Sequence, residues 1–277
     1  MLYLGIMGAG ARFTGVNPAY TAHELVHHLQ LSKAKFMIVE PRLLDAALAA
    51  ATECGLPKSR IFVFDIHDRN THDDLPSWTT LLQHGERDWV TVDDPSTTVA
   101  SYASTSGTSG LPKLALLSHS YHQTQAALRC SDPELTYKVR RLTALPPFHV
   151  FATPIVPASV HAGYPTYIMR RFDMQQFIQA IEQFGISETY MPPPVLVGIP
   201  TSPSCTKESM RSLRQIWMGG AGVTFANQLP MYDVLQPGAQ INQVWGMTEA
   251  GWVTAGQWPE KLIDDSVGRP LSGFQLR

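Results

Sequence analysis

Cysteine is scarce: Cys54, Cys130 and Cys205 are the only three in 277 residues. They lie far apart without metal-like spacing, which excludes a disulfide framework and a cysteine-based metal site and points to a reducing compartment. Charge is also thin, at 16% of residues, and nearly balanced at a net −2. No basic field is available to attract nucleic acid. The apolar opening, residues 1–11, is too short to span a bilayer and lacks the basic flank of a secretory leader, so a buried helix is expected there. The last three residues, Gln-Leu-Arg, are not a peroxisomal address. These absences favour a cytoplasmic protein. Ten histidines are scattered along the chain. His27 and His28 are adjacent, so on a helix they point in different directions and cannot hold a metal from one face.

What is abundant is apolar. The hydrophobic fraction of 44% suits a globular chain with a sizeable core and not a disordered one. Strand-like and helix-like segments alternate almost throughout. Thr21 with Glu24 three residues on is a capping-box pattern. Residues 35–40 and 60–65 read as short buried strands, and residues 43–53, rich in Ala and Leu, read as the helix between them. This β–α–β unit implies a parallel pair. Asp173 can cap a helix whose apolar stripe, Met174, Phe177, Ile178, Ile181 and Phe184, belongs to the core, with Gly185 closing it. Strands are expected at 164–169, 186–190, 215–218 and 241–244, with a helix from about Thr224. Residues 66–96 read as an irregular surface connection. Pro192, Pro193 and Pro194 read as a rigid loop at a strand end. The fold class is α/β, built as two packed subdomains with mainly parallel sheets.

The most informative stretch is residues 103–113, Ala-Ser-Thr-Ser-Gly-Thr-Ser-Gly-Leu-Pro-Lys. Glycines let backbone N–H groups turn toward an anion, hydroxyls donate to phosphate oxygens, and Lys113 neutralises charge. Residues 98–102 ahead of it are strand-like, so the run leaves a strand's C-terminal end, where α/β sheets bind ligands. It is not a Walker A loop, which needs four residues between its glycines and a Gly-Lys-Ser/Thr ending. The plain alternative is a flexible Ser/Gly hairpin turn.

Three further blocks follow. Residues 145–151, Leu-Pro-Pro-Phe-His-Val-Phe, come after a strand; His149 taken alone would be an ordinary, partly buried histidine. Residues 217–222, Trp-Met-Gly-Gly-Ala-Gly, end a strand in glycines that permit the flat approach of a ring to the backbone. Residues 243–251, Gln-Val-Trp-Gly-Met-Thr-Glu-Ala-Gly, could on their own be a strand end with an exposed acid.

In this order the four blocks resemble the signatures of adenylate-forming (AMP-binding) enzymes, most closely the 4-coumarate–CoA ligase and acyl-CoA synthetase branch. The stretches Gly15 to Thr21 with Glu24 and Leu25, and Val267 to Pro270, are similar to family segments too, so the resemblance covers essentially the whole chain. It implies ATP-dependent activation of a small carboxylic acid to acyl-AMP, then transfer to a thiol, usually that of coenzyme A; the aromatic character of Phe148, Phe151 and Trp217 points to an aryl or medium-chain acid. By that resemblance Thr105, Ser106, Gly107, Thr108, Ser109, Gly110 and Lys113 hold the β- and γ-phosphates of ATP. His149 flanks the reacting carboxylate, and Phe148 and Phe151 line the acyl pocket together with Gly219 and Gly222. Gly220, Ala221 and Gly246 lie beside adenine, on which Trp245 stacks. Thr248 donates to the α-phosphate, and Glu249 holds Mg²⁺, for which a hard oxygen ligand is suited. The chain departs from the family pattern at Leu114, where glycine is usual, at Gly222 and Val223, where Pro-Leu is usual, and at Trp245, where tyrosine is usual.

The resemblance also implies that residues 1–277 are a partial adenylation domain, the middle half of such an enzyme. The ribose-binding aspartate, the hinge and the mobile C-terminal lid domain with its adenylating lysine would lie beyond Arg277. On that reading thioester formation by this stretch alone is impaired. Two alternatives stay open: a nucleotide-binding remnant without turnover, and adenylation followed by transfer to a carrier-protein thiol in secondary metabolism.

Overall fold

The computed structural model describes residues 2–67, 74–105, 111–128 and 135–277, and the chain divides into two units, Met1–His119 and Ser120–Arg277. The first unit runs through α1 (Leu2–Gly8), β1 (Phe13–Thr14), α2 (Ala22–Ser32), β2 (Met37–Val39), α3 (Leu44–Glu53), β3 (Ile61–Val63), β4 (Val99–Thr105) and β5 (Lys113–Ser118). At Thr21 the capping box forms as the pattern requires: the Thr21 N–H donates to Glu24 Oε2 at 2.8 Å and the Glu24 N–H to Thr21 Oγ1 at 3.3 Å, satisfying two donors a helix start leaves free. The β2–α3–β3 unit is present with its strands parallel, and Val39, Leu44, Ala47, Ala51, Ile61 and Val63 form its core. A second sheet has the order β1-β4-β5.

In this unit two local expectations fail. The opening forms the helix α1, but none of its residues is buried. Tyr3 lies edge-on to Phe13 at 5.0 Å and the Trp89 ring lies over Gly8, yet the elements around the helix leave each of its residues partly exposed. Within the supposed irregular connection, Trp78–His84 is a 3-10 helix capped by Ser77.

The second unit opens with α4 (His119–Leu128) and holds β6 (Arg141–Thr143), α5 (Ile155–Ala162), β7 (Thr166–Ile168), α6 (Met174–Phe184), β8 (Glu188–Met191), α7 (Pro193–Gly198), β9 (Gln215–Gly219), α8 (Phe225–Val234), β10 (Gln240–Met247), β11 (Gly251–Ala255) and β12 (Arg269–Pro270). Its seven strands are ordered β12-β11-β10-β9-β8-β6-β7. All pairings from β10 to β7 are parallel, while β11 and β12 add antiparallel edges. Asp173 caps α6 by accepting from the Gln176 N–H at 2.8 Å, and Gly185 closes it with φ 59°. The proline run is not a loop. Pro192 is the N-cap of α7 and a proline occupies its first turn, where a missing N–H costs nothing and a fixed φ suits the helix.

Side chains alternate across a strand, so this sheet has two different faces. On one, Leu142, Ile216, Met218 and Ile241 pack with Phe177, Ile178 and Ile181 of α6 and Met231 of α8. On the other, Tyr190, Trp217 and Val244 pack with Phe151, Ile155 and Trp252. This second face changes character along the strands. The register row Arg141, Glu188, Gln215, Gln240 is polar and buried, and the aromatic cluster lies toward the strands' C-terminal ends.

Candidate functional site

The motif residues divide between the two units. In the first, Thr105 ends β4 and Lys113 begins β5, and the two are register partners in an antiparallel pair. The hydroxyl- and glycine-rich run is therefore the connection of a β-hairpin, and Lys113 is exposed at its return. Ser106, Gly107, Thr108, Ser109 and Gly110 lie outside the described residues.

In the second unit three blocks come together at the C-terminal ends of β9 and β10. These strands are parallel, with Gly219 beside Val244. The chain leaves β9 at Gly219 into exposed Gly220, Ala221 and Gly222, with Gly220 at φ +96°. Beyond Val244, Trp245 is 45% exposed. A bulge separates Trp245 from Gly246. A Cβ on Gly246 would run into the Gly251 carbonyl oxygen across the hairpin, so no other residue fits there without moving the backbone. Thr248 and Glu249 sit in the turn between β10 and β11, with Thr248 half-buried and Glu249 exposed.

The third block is a compact turn after β6. The His149 carbonyl accepts from the N–H groups of Ala152 and Thr153, and its ring Nδ1 accepts from the Phe151 N–H at 3.2 Å. That bond makes Nδ1 the acceptor and leaves the proton of the neutral ring on Nε2. His149 is exposed as a whole residue, and the part of its imidazole that the turn covers lowers its pKa below the ordinary 6.5, because partial loss of water disfavours the cation. Phe148 is half-buried. Phe151 is only 6% exposed: its ring lies beneath Gly219, where an added Cβ would meet it at 3.0–3.2 Å, and stacks on Trp252 at 5.3 Å. Trp217 is buried in the same cluster. These two aromatics form a floor under the strand ends, not an open wall.

Sequence reasoning missed the residues that hold this turn. Gln125 of α4 is buried and clamps β11 with both amide atoms: Oε1 accepts from the Trp252 N–H at 2.8 Å, and Nε2 donates to the carbonyls of Trp252 at 3.4 Å and Ala250 at 3.3 Å. Tyr121, one turn earlier, donates its hydroxyl to the Thr248 carbonyl at 3.4 Å. Burial, and next the nearby Glu249 charge, push the Tyr121 pKa up. Gln243 pins the other loop, accepting from the Val223 N–H at 3.2 Å and donating to the Val223 carbonyl at 3.0 Å. No local pattern marks Gln125, because its partners are 125–127 residues away. Gln125→Leu removes all three of the residue's hydrogen bonds from the interior and is expected to cost about 1–3 kcal/mol, read from urea unfolding. A change under about 0.3 kcal/mol would show the clamp to be idle.

Among the described residues no group of three His, Cys, Asp or Glu side chains could hold a metal ion, and no helix is long and apolar enough to cross a membrane. The model of the AMP-binding enzyme family matches residues 1–277. The chain belongs to this family. Family relatives include the acyl-CoA synthetase ACTT5 of Alternaria alternata, 40% identical over all of this chain and 49% of its own length, and the phenylacetyl-CoA ligase epaB of Aspergillus niger, 36% identical over all of this chain and 53% of its length. The chain thus spans about half the length of the curated relatives it matches. A solved long-chain-fatty-acid-CoA ligase, FadD1 of Archaeoglobus fulgidus, superposes with a TM-score of 0.86 over 98% of this chain and 54% of that one at 23% identity, which speaks for the adenylate-forming fold.

Proposed function

We propose that this chain carries the nucleotide- and acid-holding part of an ATP-dependent acid–thiol ligase. The observation that carries the reading is the convergence of the His149 turn, the Gly219-to-Gly222 turn and the Trp245-to-Glu249 hairpin on one end of one sheet, in a chain of the AMP-binding family. In the first half-reaction a carboxylate oxygen attacks the α-phosphorus of ATP, the bond to the β-phosphate breaks, and pyrophosphate leaves. In the second, the thiol of coenzyme A attacks the acyl carbon and AMP leaves.

The protein's part is positioning and charge stabilisation. Thr105, Lys113 and the residues from Ser106 to Gly110 hold the β- and γ-phosphates, Thr248 donates to the α-phosphate, and Trp245 stacks on adenine beside Gly246 and the backbone of Gly220 and Ala221. His149, neutral and protonated on Nε2, donates toward the acid carboxylate, with Phe148, Gly219 and Gly222 around the acyl group and Phe151 beneath it. Glu249 suits Mg²⁺: it is an exposed carboxylate in a turn, and a magnesium ion with few protein ligands takes the rest from phosphates and water. When bound, the ion neutralises charge on the phosphates. An aryl acid is the favoured substrate class, supported by the phenylacetyl-CoA ligase among the relatives. The cytoplasm is the proposed compartment.

Calorimetry with ATP and Mg²⁺ tests the reading. Lys113→Ala and Glu249→Gln are each expected to weaken ATP about tenfold, and Glu249→Gln to abolish the gain from Mg²⁺. Pyrophosphate exchange across a panel of aryl and medium-chain acids then reports adenylation. ATP binding without exchange for any acid would favour a nucleotide-binding protein without turnover, and no ATP binding by folded protein would end the proposal.

A further inference from the structure

His27 and His28, with no role in the chemistry above, sit on α2 beside the two strand ends from which the hydroxyl- and glycine-rich run leaves and returns. His28 is 3% exposed, and both its ring nitrogens are used. Nε2 meets Thr14 Oγ1 of β1 at 2.8 Å, and Nδ1 meets Ser104 Oγ of β4 at 3.2 Å. A neutral imidazole offers one donor and one acceptor, and hydroxyls answer either. Burial, and then the charge of His27, hold the ring's pKa below 6.5. His27 points elsewhere, about 100° around the helix, and its Nε2 lies 2.8 Å from the Pro112 carbonyl. A carbonyl can only accept, so His27 donates.

One helix therefore fastens the hairpin on both sides, at Ser104 before Thr105 leaves β4 and at Pro112 before Lys113 enters β5. Ser104 turns its hydroxyl to His28, which separates it in role from the hydroxyls that follow. We infer that His27 and His28 are positioning residues for the triphosphate: they touch no nucleotide but set the spacing of Thr105 and Lys113, the two strand ends that hold it. The inference rests on the phosphate role proposed above for that run. Its physical basis is that strand ends held at the right spacing in advance present Thr105 and Lys113 to an anion without first being brought together.

The test compares ATP with AMP by calorimetry on the 277-residue chain. His27→Ala is expected to weaken ATP roughly five- to tenfold, to leave AMP within about twofold because AMP lacks the β- and γ-phosphates, and to change the thermal midpoint little. His27→Gln, whose amide can donate to the same carbonyl, should restore most of the ATP affinity. His28→Gln, keeping a donor and an acceptor, should likewise bind ATP better than His28→Ala. Should His28→Ala fail to fold, the His27 pair decides. Equal weakening of ATP and AMP, or none in either His27 variant, overturns the inference. If Lys113→Ala weakens ATP while the histidine variants do not, only the inference falls; if Lys113→Ala is also without effect, the phosphate reading of the run falls and takes the inference with it.

Discussion

Trp252→Ala is expected to lower the unfolding free energy by about 3–5 kcal/mol, the range for truncating a large buried aromatic. Trp252 is buried at 2% exposure and ties together all the blocks of the candidate site in the second unit. Its ring stacks on Phe151, lies 5.9 Å from Trp217 and 6.4 Å from Tyr190, and its Nε1 donates to the Phe151 carbonyl at 3.2 Å. Truncation leaves a void beside the Phe151 ring and takes a donor from the Phe151 carbonyl in the His149 turn. The packing around it is rigid aromatic surface and strand backbone, which collapses little, so the upper half of the range applies. The urea midpoint should fall by roughly 1 M or more. Trp252→Phe keeps a ring against Phe151 but loses the hydrogen bond and should cost clearly less. A loss below about 1 kcal/mol for the alanine variant would show that the cluster is not the support of these turns.

Glu188→Ala should cost a comparable amount, about 3–5 kcal/mol, for a different reason. Arg141 and Glu188 are both fully buried, with Nε donating to Oε2 at 3.0 Å. Tyr137 donates to the other carboxylate oxygen at 3.0 Å, Ser159 accepts from the guanidinium at 3.1 Å, and the Tyr164 ring lies 4.9 Å from the Arg141 Cζ. Removing the carboxylate leaves a cation in a site built for a neutral pair. The attraction between the two charges is not itself the source of the loss, since burying both costs solvation. The double variant Arg141→Met with Glu188→Leu should therefore recover most of the stability that Glu188→Ala gives up. If the double variant proves as unstable as the single one, the pair contributes through attraction and not merely through mutual compensation. The row stands at the opposite end of the strands from Trp245 and Gly219, so it bears on folding of the second unit and not on the chemistry of the candidate site.

The sequence by itself determined what depends on neighbours a few residues away. The Thr21 and Asp173 caps, the Gly185 stop, the apolar stripe of α6 and the parallel β2–β3 pair were all legible, because a cap needs its partner three residues on and a helix face needs only its period. The order of Gly-rich and hydroxyl-rich blocks was legible for the same reason, and with it the family. Where long-range packing decides, the sequence was silent or misleading. The opening helix is apolar yet unburied, because apolarity states a preference and only the surrounding elements can satisfy it. The proline run starts α7, because the segment after it packs Leu196 into the core. That Phe151 and Trp217 share one buried cluster beneath the strand ends could not be read from their positions in the chain. Gln125 and the His27–His28 pair show no motif at all: apart from Thr14, 14 residues before His28, their partners stand 76 to 127 residues away. A hydrogen bond is decided by angstroms, and only the tertiary fold brings such residues that close.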